Sequence, residues 1–270
     1  MIRFMSLASG SSGNCYYLET PMGALLIDTG INVRTIAANL KTVGVDLQQK
    51  LRAILLTHDH ADHIRSIGRT SLKYELPIYA TEAVFAGIDK SRYVVEKPHL
   101  SLRHVIDKET PFELIGLRVT PFDVPHDASD NVGYYMEGDD DFRFCLLTDV
   151  GHITPTIRSY AGRSKHLVVE ANYDSEMLIA GPYPDFLKQR VSGPRGHLSN
   201  QTTADFLSEV FTPEMENIWL CHLSKDNNHP ELCWKTIENR LFYEGIRVGK
   251  DVSLTALART RPSPLYVLQD

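Results

Sequence analysis

A chain of 270 residues with 43% hydrophobic and 23% charged side chains has the composition of a globular protein able to bury a sizeable core. Its formal charge of −6 argues against a protein that coats nucleic acid non-specifically, but acidic metal ligands enter that count, so nucleic acid as a substrate is not excluded. No run approaches the roughly 18 apolar residues of a membrane span.

The opening MIRFMSLASGSSGN reaches a Gly/Ser turn too early for a signal peptide, so a cytoplasmic location with no membrane partner is expected. In chain order, IRFMSL, CYYLET and ALLID read as short strands broken by SGSSGN and TPMG turns. NVRTIAANLKTVG puts Val33, Ile36, Ala37, Leu40 and Val43 at helical spacing and stops on Gly44. RAILLT is a continuous apolar run, read as a buried strand. A helix through SIGRTSLKYE and a strand PIYA follow. From about residue 100 to 150 the pattern is β: LRHVI, PFELIG, LRVTPFDV, VGYYMEG and FRFCLLTD. HLVVEA and NIWLCHL read as strands, with a helix NQTTADFLSEVF between them. ELCWKTIENRLFYEG is an amphipathic helix with Trp234, Ile237 and Leu241 on one face. The tail RTRPSPLYVLQD has no assignment. No repeat or linker divides the chain, so residues 1–270 are expected to form one α/β domain with two sheets and helices outside them.

Cys15, Cys145, Cys221 and Cys233 are scattered, form no CxxC pair, and read as buried reduced thiols. The dense chemistry lies elsewhere. Residues 58–63, HDHADH, put three histidines and two aspartates directly after the RAILLT strand. Imidazole and carboxylate together suit zinc, manganese or iron rather than soft thiolate metals. Backbone geometry stops four such ligands on one turn from serving a single ion, so two ions sharing the loop, with further ligands from other strand ends, is the natural arrangement. His126 in FDVPHDASD, Asp149 in CLLTDVG and His222 in WLCHLS occupy such ends. One polar residue closing a strand is often only a turn cap. Four loops of this kind in one chain make coincidence a poor account.

His58-x-His60-x-Asp62-His63, with Asp28 in LLIDTG, His126, Asp149 and His222, resembles the metallo-β-lactamase superfamily motif by motif and in order. The resemblance implies a four-layer αββα sandwich with two divalent ions, zinc or manganese ahead of iron. It implies one ion on His58, His60 and His126, another on Asp62, His63 and His222, and Asp149 bridging them. Asp28 would steady the ligand loop from behind, and Asp59 is an ordinary loop residue. His60 stands where flavodiiron proteins have Glu, and Cys145 lies back inside its strand rather than at the ligand position of Cys-containing lactamases.

VVEANYD and GHLSNQTTADFL look like the Glu and His signatures of the ribonuclease Z branch. On that likeness His197 protonates a leaving oxygen and Glu170 orients it, although the LSN after His197 departs from the branch pattern. From the residues alone, Glu170 also reads as a solvated strand-end group and His197 as a helix-start residue. No exosite arm is visible, and the roughly fifty residues from Asp149 to His197 are too few for a β-CASP insertion. Almost end to end, SLASGSSGNCYYLE, LLTHDHADHI, PHDASDNVGY, VVEANYD and CHLSKDNNHPE resemble the bacterial YycJ/WalJ family.

That likeness implies a 5′-to-3′ exonuclease on double-stranded DNA, with DNA as partner; no obligate protein partner is readable from the sequence. Arg195, Ser11 and Ser12 are candidate phosphate contacts. Arg65, Arg69, Lys73, Lys188 and Arg190 are further basic residues near these loops, each of which also reads as an ordinary surface charge. Two other readings stand beside it. One is a small-substrate metallohydrolase, either a thioesterase of the glyoxalase II type or a small phosphodiesterase. The other is a metal-dependent binding protein without catalysis.

Overall fold

The apolar runs at the start of the chain become three antiparallel neighbours, β1 (Ile2–Ala8), β2 (Cys15–Thr20) and β3 (Gly23–Ile27). In this computed structural model, which describes residues 1–269, the chain divides into two compact units. The first comprises Met1–Pro121, Ala128–Val132 and the segment from Arg259 onward. After β3 come α1 (Val33–Thr42), capped by the Asn32 side chain on the Arg34 N–H, and the single turn α2 (Leu47–Lys50). β4 (Leu51–Leu55) then pairs in parallel with β3. The ligand-rich loop leads into α3 (Ala61–Ile64) and α4 (Ile67–Tyr74), followed by β5 (Ile78–Ala80), α5 (Glu82–Lys90), β6 (Arg103–Val105), β7 (Phe112–Leu114) and β8 (Leu117–Asp123).

The unassigned tail supplies a strand, β14 (Tyr266–Gln269), which lies antiparallel to β1. One seven-stranded sheet therefore runs β14-β1-β2-β3-β4-β5-β6. The core of this unit gathers Leu7, Tyr17, Leu26 and Ile54 from the strands with Ile36, Leu40, Ile67 and Ile88 from the helices, all buried.

The second unit, Phe122–Asp127 with Gly133–Ala258, is built on parallel strands and crossover helices. Its elements in order are β9 (Val132–Glu137), β10 (Arg143–Leu147), α6 (Pro155–Arg163), β11 (His166–Glu170), α7 (Ser175–Ala180), α8 (Asp185–Ser192), α9 (Asn200–Val210), β12 (Asn217–Cys221), α10 (Pro230–Tyr243) and β13 (Ser253–Ala256). The second sheet runs β13-β12-β11-β10-β9-β8-β7, and β10 to β13 are mutually parallel. Parallel neighbours need long returns, which α6, the α7–α9 segment and α10 provide. Leu147, Val169, Leu220, Leu207, Ile237 and Leu241 form part of this unit's own buried core.

Parallel pairing puts the carboxyl ends of β10, β11 and β12 at one edge, where Leu147 faces Val169 and Glu170 faces Cys221. In the first sheet the parallel β3 and β4 do the same for Ile27 and Leu55. Each ligand-type residue read from the sequence in these strands follows or closes one of these ends. All four cysteines are buried thiols outside any disulfide, and burial pushes those of Cys15, Cys145 and Cys233 up. No helix among the described residues is long and apolar enough to cross a membrane.

Candidate metal centre

In the first unit, β4 ends in a polar turn whose backbone is fixed from below by Asp28. The buried Asp28 carboxylate accepts from the Thr57 N–H at 2.9 Å, from Thr57 Oγ1 at 2.8 Å, and from His63 Nδ1 at 2.7 Å. Thr57 Oγ1, with its proton on Asp28, faces His58 Nδ1 at 2.9 Å. Both rings are thus tied through Nδ1, so Nε2 is the atom each could offer a metal. The His58 ring centroid lies 4.7 Å from that of His60 and 4.0 Å from that of His63. His63 Nε2 lies 3.6 Å from Asp62 Oδ2. A close backbone approach holds the loop in place: a Cβ on Gly30 would sit 1.6 Å from the Asp62 carbonyl oxygen, so only glycine fits there. Asp59 points away, taking the Ser129 N–H at 3.0 Å and Ser129 Oγ at 2.6 Å.

In the second unit, Asp149, Glu170, His197 and His222 offer one donor atom each within 4.8 Å of one another. Asp149 Oδ1 lies 3.5 Å from His222 Nε2 and 3.6 Å from His126 Nε2. His126 Nδ1 is held by the Gly196 carbonyl at 2.9 Å. His222 Nδ1 lies 3.1 Å from the Asn172 amide and 3.4 Å from Glu170 Oε1.

Glu170 is fully buried rather than solvated. Its Oε2 accepts the backbone N–H groups of Val150 and Leu198, and its Oε1 meets His197 Nδ1 at 2.7 Å. Burial works to raise the Glu170 carboxyl, but the charge of His197 and hydrogen bonds from His197 and His222 outweigh it and leave it below the usual glutamate range. Burial likewise works to lower the His197 imidazole, and its attraction to Glu170 prevails, holding it above the ordinary histidine range. His197 is thereby oriented through Nδ1 and favours its protonated form.

The chemistry and spacing of these donors fit divalent ions. With metal–ligand bonds of about 2.0–2.2 Å, neighbouring ligands in a tetrahedral or octahedral shell stand about 2.8–3.6 Å apart. The Asp62–His63, Asp149–His126 and Asp149–His222 separations fall in that range.

Asp28 (φ 60°), Asp149 (φ 54°) and His222 (φ 53°) all have left-handed backbone, each within two residues of a strand end. Non-glycine residues enter this region at a cost, and such positions collect at functional sites.

Among the phosphate-contact candidates, Ser11 and Ser12 are exposed at the tip of the β1–β2 turn, where Arg65 Nη1 reaches the Ser12 carbonyl at 3.4 Å. Arg195 is spent on the backbone, donating from Nε and Nη2 to the His126 carbonyl at 2.9 and 2.7 Å. Of the other basic residues, Arg69 pairs with Glu96, Arg190 pairs with Asp127, Lys188 donates to the Ile179 carbonyl, and Lys73 lies over the Tyr74 ring. Thr57, Asn172, Asp127 and Asn14 touch these residues and were not singled out from the sequence. Their only sequence signal is adjacency to a ligand or to a strand end.

A β-lactamase superfamily domain matches residues 24–216. The chain is 34% identical over 263 residues to the exodeoxyribonuclease WalJ of Streptococcus pneumoniae serotype 2, covering 97% of each protein. It is 32% identical over 249 residues to the exodeoxyribonuclease YycJ of Bacillus anthracis, covering 92% of each. The chain belongs to the WalJ/YycJ family of the β-lactamase superfamily. The Zn(2+)-bound PqqB of Methylobacterium extorquens superposes with a TM-score of 0.70 at 17% identity, covering 97% of this chain and 99% of that one, a likeness of fold alone. The expected metallo-β-lactamase fold class is therefore borne out, and this WalJ/YycJ-family chain is a metal-dependent hydrolase.

Proposed function

We propose that this chain is a DNA exonuclease that removes nucleotides from the 5′ end of double-stranded DNA, in the cytoplasm, as a single catalytic domain. The observation that carries the reading is the buried Glu170 carboxylate holding His197 Nδ1 at 2.7 Å within the cluster that also contains Asp149 and His222. A phosphodiester needs a proton for its departing alkoxide oxygen, whereas a thioester, which releases a stable thiolate, does not require this pair. The names of the WalJ and YycJ relatives support DNA as the polymer.

In this reading His58, His60 and His126 would hold one ion and Asp62, His63 and His222 the other, with Asp149 contributing its carboxylate. Two divalent ions, zinc or manganese, supply Lewis acidity and an activated water when bound. Asp28 fixes the tautomer of His63, and Thr57 that of His58. His197, whose imidazole the Glu170 carboxylate shifts toward its protonated form, would give its Nε2 proton to the departing 3′ oxygen. Ser11 and Ser12, exposed on the β1–β2 turn, remain candidate phosphate contacts, and Arg195 would have to leave the His126 carbonyl to act as one.

The test loads metal-free protein separately with Mn and Zn and offers linear duplexes labelled at the 5′ or 3′ end. Early release of the 5′ label as a mononucleotide, with progressive shortening of 3′-labelled strands, is expected. Cleavage of a small phosphodiester or thioester with both duplexes intact would overturn the reading in favour of a small-substrate hydrolase. His197→Ala is expected to lose about 10²–10⁴-fold in rate at unchanged metal content. An unchanged rate removes His197 from the reaction.

A further inference from the structure

Asn14 closes the Gly/Ser turn between β1 and β2 and is fully buried. Its backbone is built into the ligand loop: its N–H donates to the Asp62 carbonyl at 2.7 Å, and its carbonyl accepts the Gly30 N–H at 2.8 Å. Its side chain has a single sensible orientation. Oδ1 accepts the Gly10 N–H at 2.8 Å, and Nδ2 donates to the Gly10 carbonyl at 3.2 Å. Turning the amide over would set N–H against N–H at Gly10.

With that orientation fixed, Nδ2 lies 3.2 Å from Asp62 Oδ2 and 2.9 Å from His63 Nε2. These are the two atoms that the proposed function gives to one ion, and both distances fall within the ligand-to-ligand spacing of a coordination shell. An amide nitrogen carries no available lone pair and cannot ligate, so Asn14 acts through its neighbours.

We infer that Asn14 is a positioning residue for the ion that Asp62 and His63 would hold, its N–H holding Asp62 Oδ2. The inference rests on the ligand set of the proposed function and concerns only the first unit's contribution. A carboxylate oxygen has lone pairs enough to accept this hydrogen bond and bind an ion together. The same placement makes the site convertible. An aspartate at position 14 keeps the acceptor for the Gly10 N–H and puts an anionic oxygen where Nδ2 stood, at ligand spacing from both neighbours.

Two variants therefore have opposite expected signs. Metal-free wild type, Asn14→Ala and Asn14→Asp are titrated with Mn²⁺ by calorimetry, with circular dichroism reporting folding. Wild type is expected to take up two ions. Asn14→Ala weakens one of them by about 10–100-fold and leaves the other unchanged. Asn14→Asp binds that same ion at least as tightly as wild type.

Equal weakening of both ions in Asn14→Ala would reduce Asn14 to loop support and overturn the inference, as would unchanged binding in Asn14→Ala. Should Asn14→Ala fail to fold, the isosteric Asn14→Asp decides alone: a changed affinity for one ion with the other unchanged upholds the inference, and two unchanged ions overturn it. Failure of wild type to bind a second ion would instead overturn the ligand set of the proposed function.

Discussion

Histidine in this chain serves two opposite ends. His197 is kept above its ordinary titration range by a buried carboxylate, whereas burial pushes His166, at the other end of β11, down to about 4. His166 is 2% exposed, accepts from the Asn217 amide through Nδ1 at 3.1 Å, and packs against the rings of Phe142 and Trp219. It is folded in its neutral form, while in the unfolded chain it takes a proton near pH 6.5. The unfolded state thus binds more protons between these values, so the stability held above pH 6.5 falls as the pH drops towards 4. A depression of this size corresponds to about 3 kcal/mol. Urea unfolding across pH 7 to 4 is expected to show His166→Phe losing less stability than wild type over that window. Parallel curves for the two proteins would remove His166 from the acid sensitivity.

Helices α8 and α9 follow one another, yet they differ in anchorage. α9 buries Asn200, Thr203, Ala204, Phe206, Leu207 and Val210, while α8 buries none of its residues and leaves Phe186 72% exposed. Local opening costs least where apolar burial is least. In hydrogen exchange, amides of α8 are expected to exchange at least ten times faster than those of α9, and equal protection would refute this. Because the His197 N–H donates to the Val191 carbonyl in α8, motion of that helix reaches the proposed proton donor through one hydrogen bond.

The contrast also explains what the sequence made legible at the level of elements. β4 and β12 announce themselves as apolar runs, and the ligand motif announces itself because its residue types are too rich for a turn. α5 and β13 are short and lack strong periodicity, and β14 follows Pro262 and Pro264, so only its pairing with β1 makes it a strand. The burial of Glu170 and the role of Asn14 were hidden for a related reason. A strand-end Glu and an Asn in a Gly/Ser turn look the same whether they face water or a ligand, and the difference lies in contacts distant in sequence.

At the scale of the molecule, each unit has its own apolar core, and the expected donors are distributed over both. Ions that bind the native chain and not the unfolded one raise stability by mass action, by about 2.7 kcal/mol for a site at a hundred times its dissociation constant. For a protein of this length that corresponds to a rise of about 5–10 °C in melting temperature. Chelation of the loaded protein with excess EDTA is expected to lower Tm by at least this much, and readdition of Mn²⁺ to restore it. An unchanged Tm with metal confirmed removed would show that metal contributes nothing to the fold.

The left-handed backbone at Asp28, Asp149 and His222 also limits which sequences this architecture can accept. Among non-glycine residues, Asn, Asp and His tolerate that conformation best, and β-branched side chains tolerate it worst. The strand ends therefore screen substitutions by shape before any metal screens them by charge. Mutational drift at these three positions is steered toward a small alphabet of short polar residues, so a lineage that lost its original chemistry would still hold side chains suited to acquiring another.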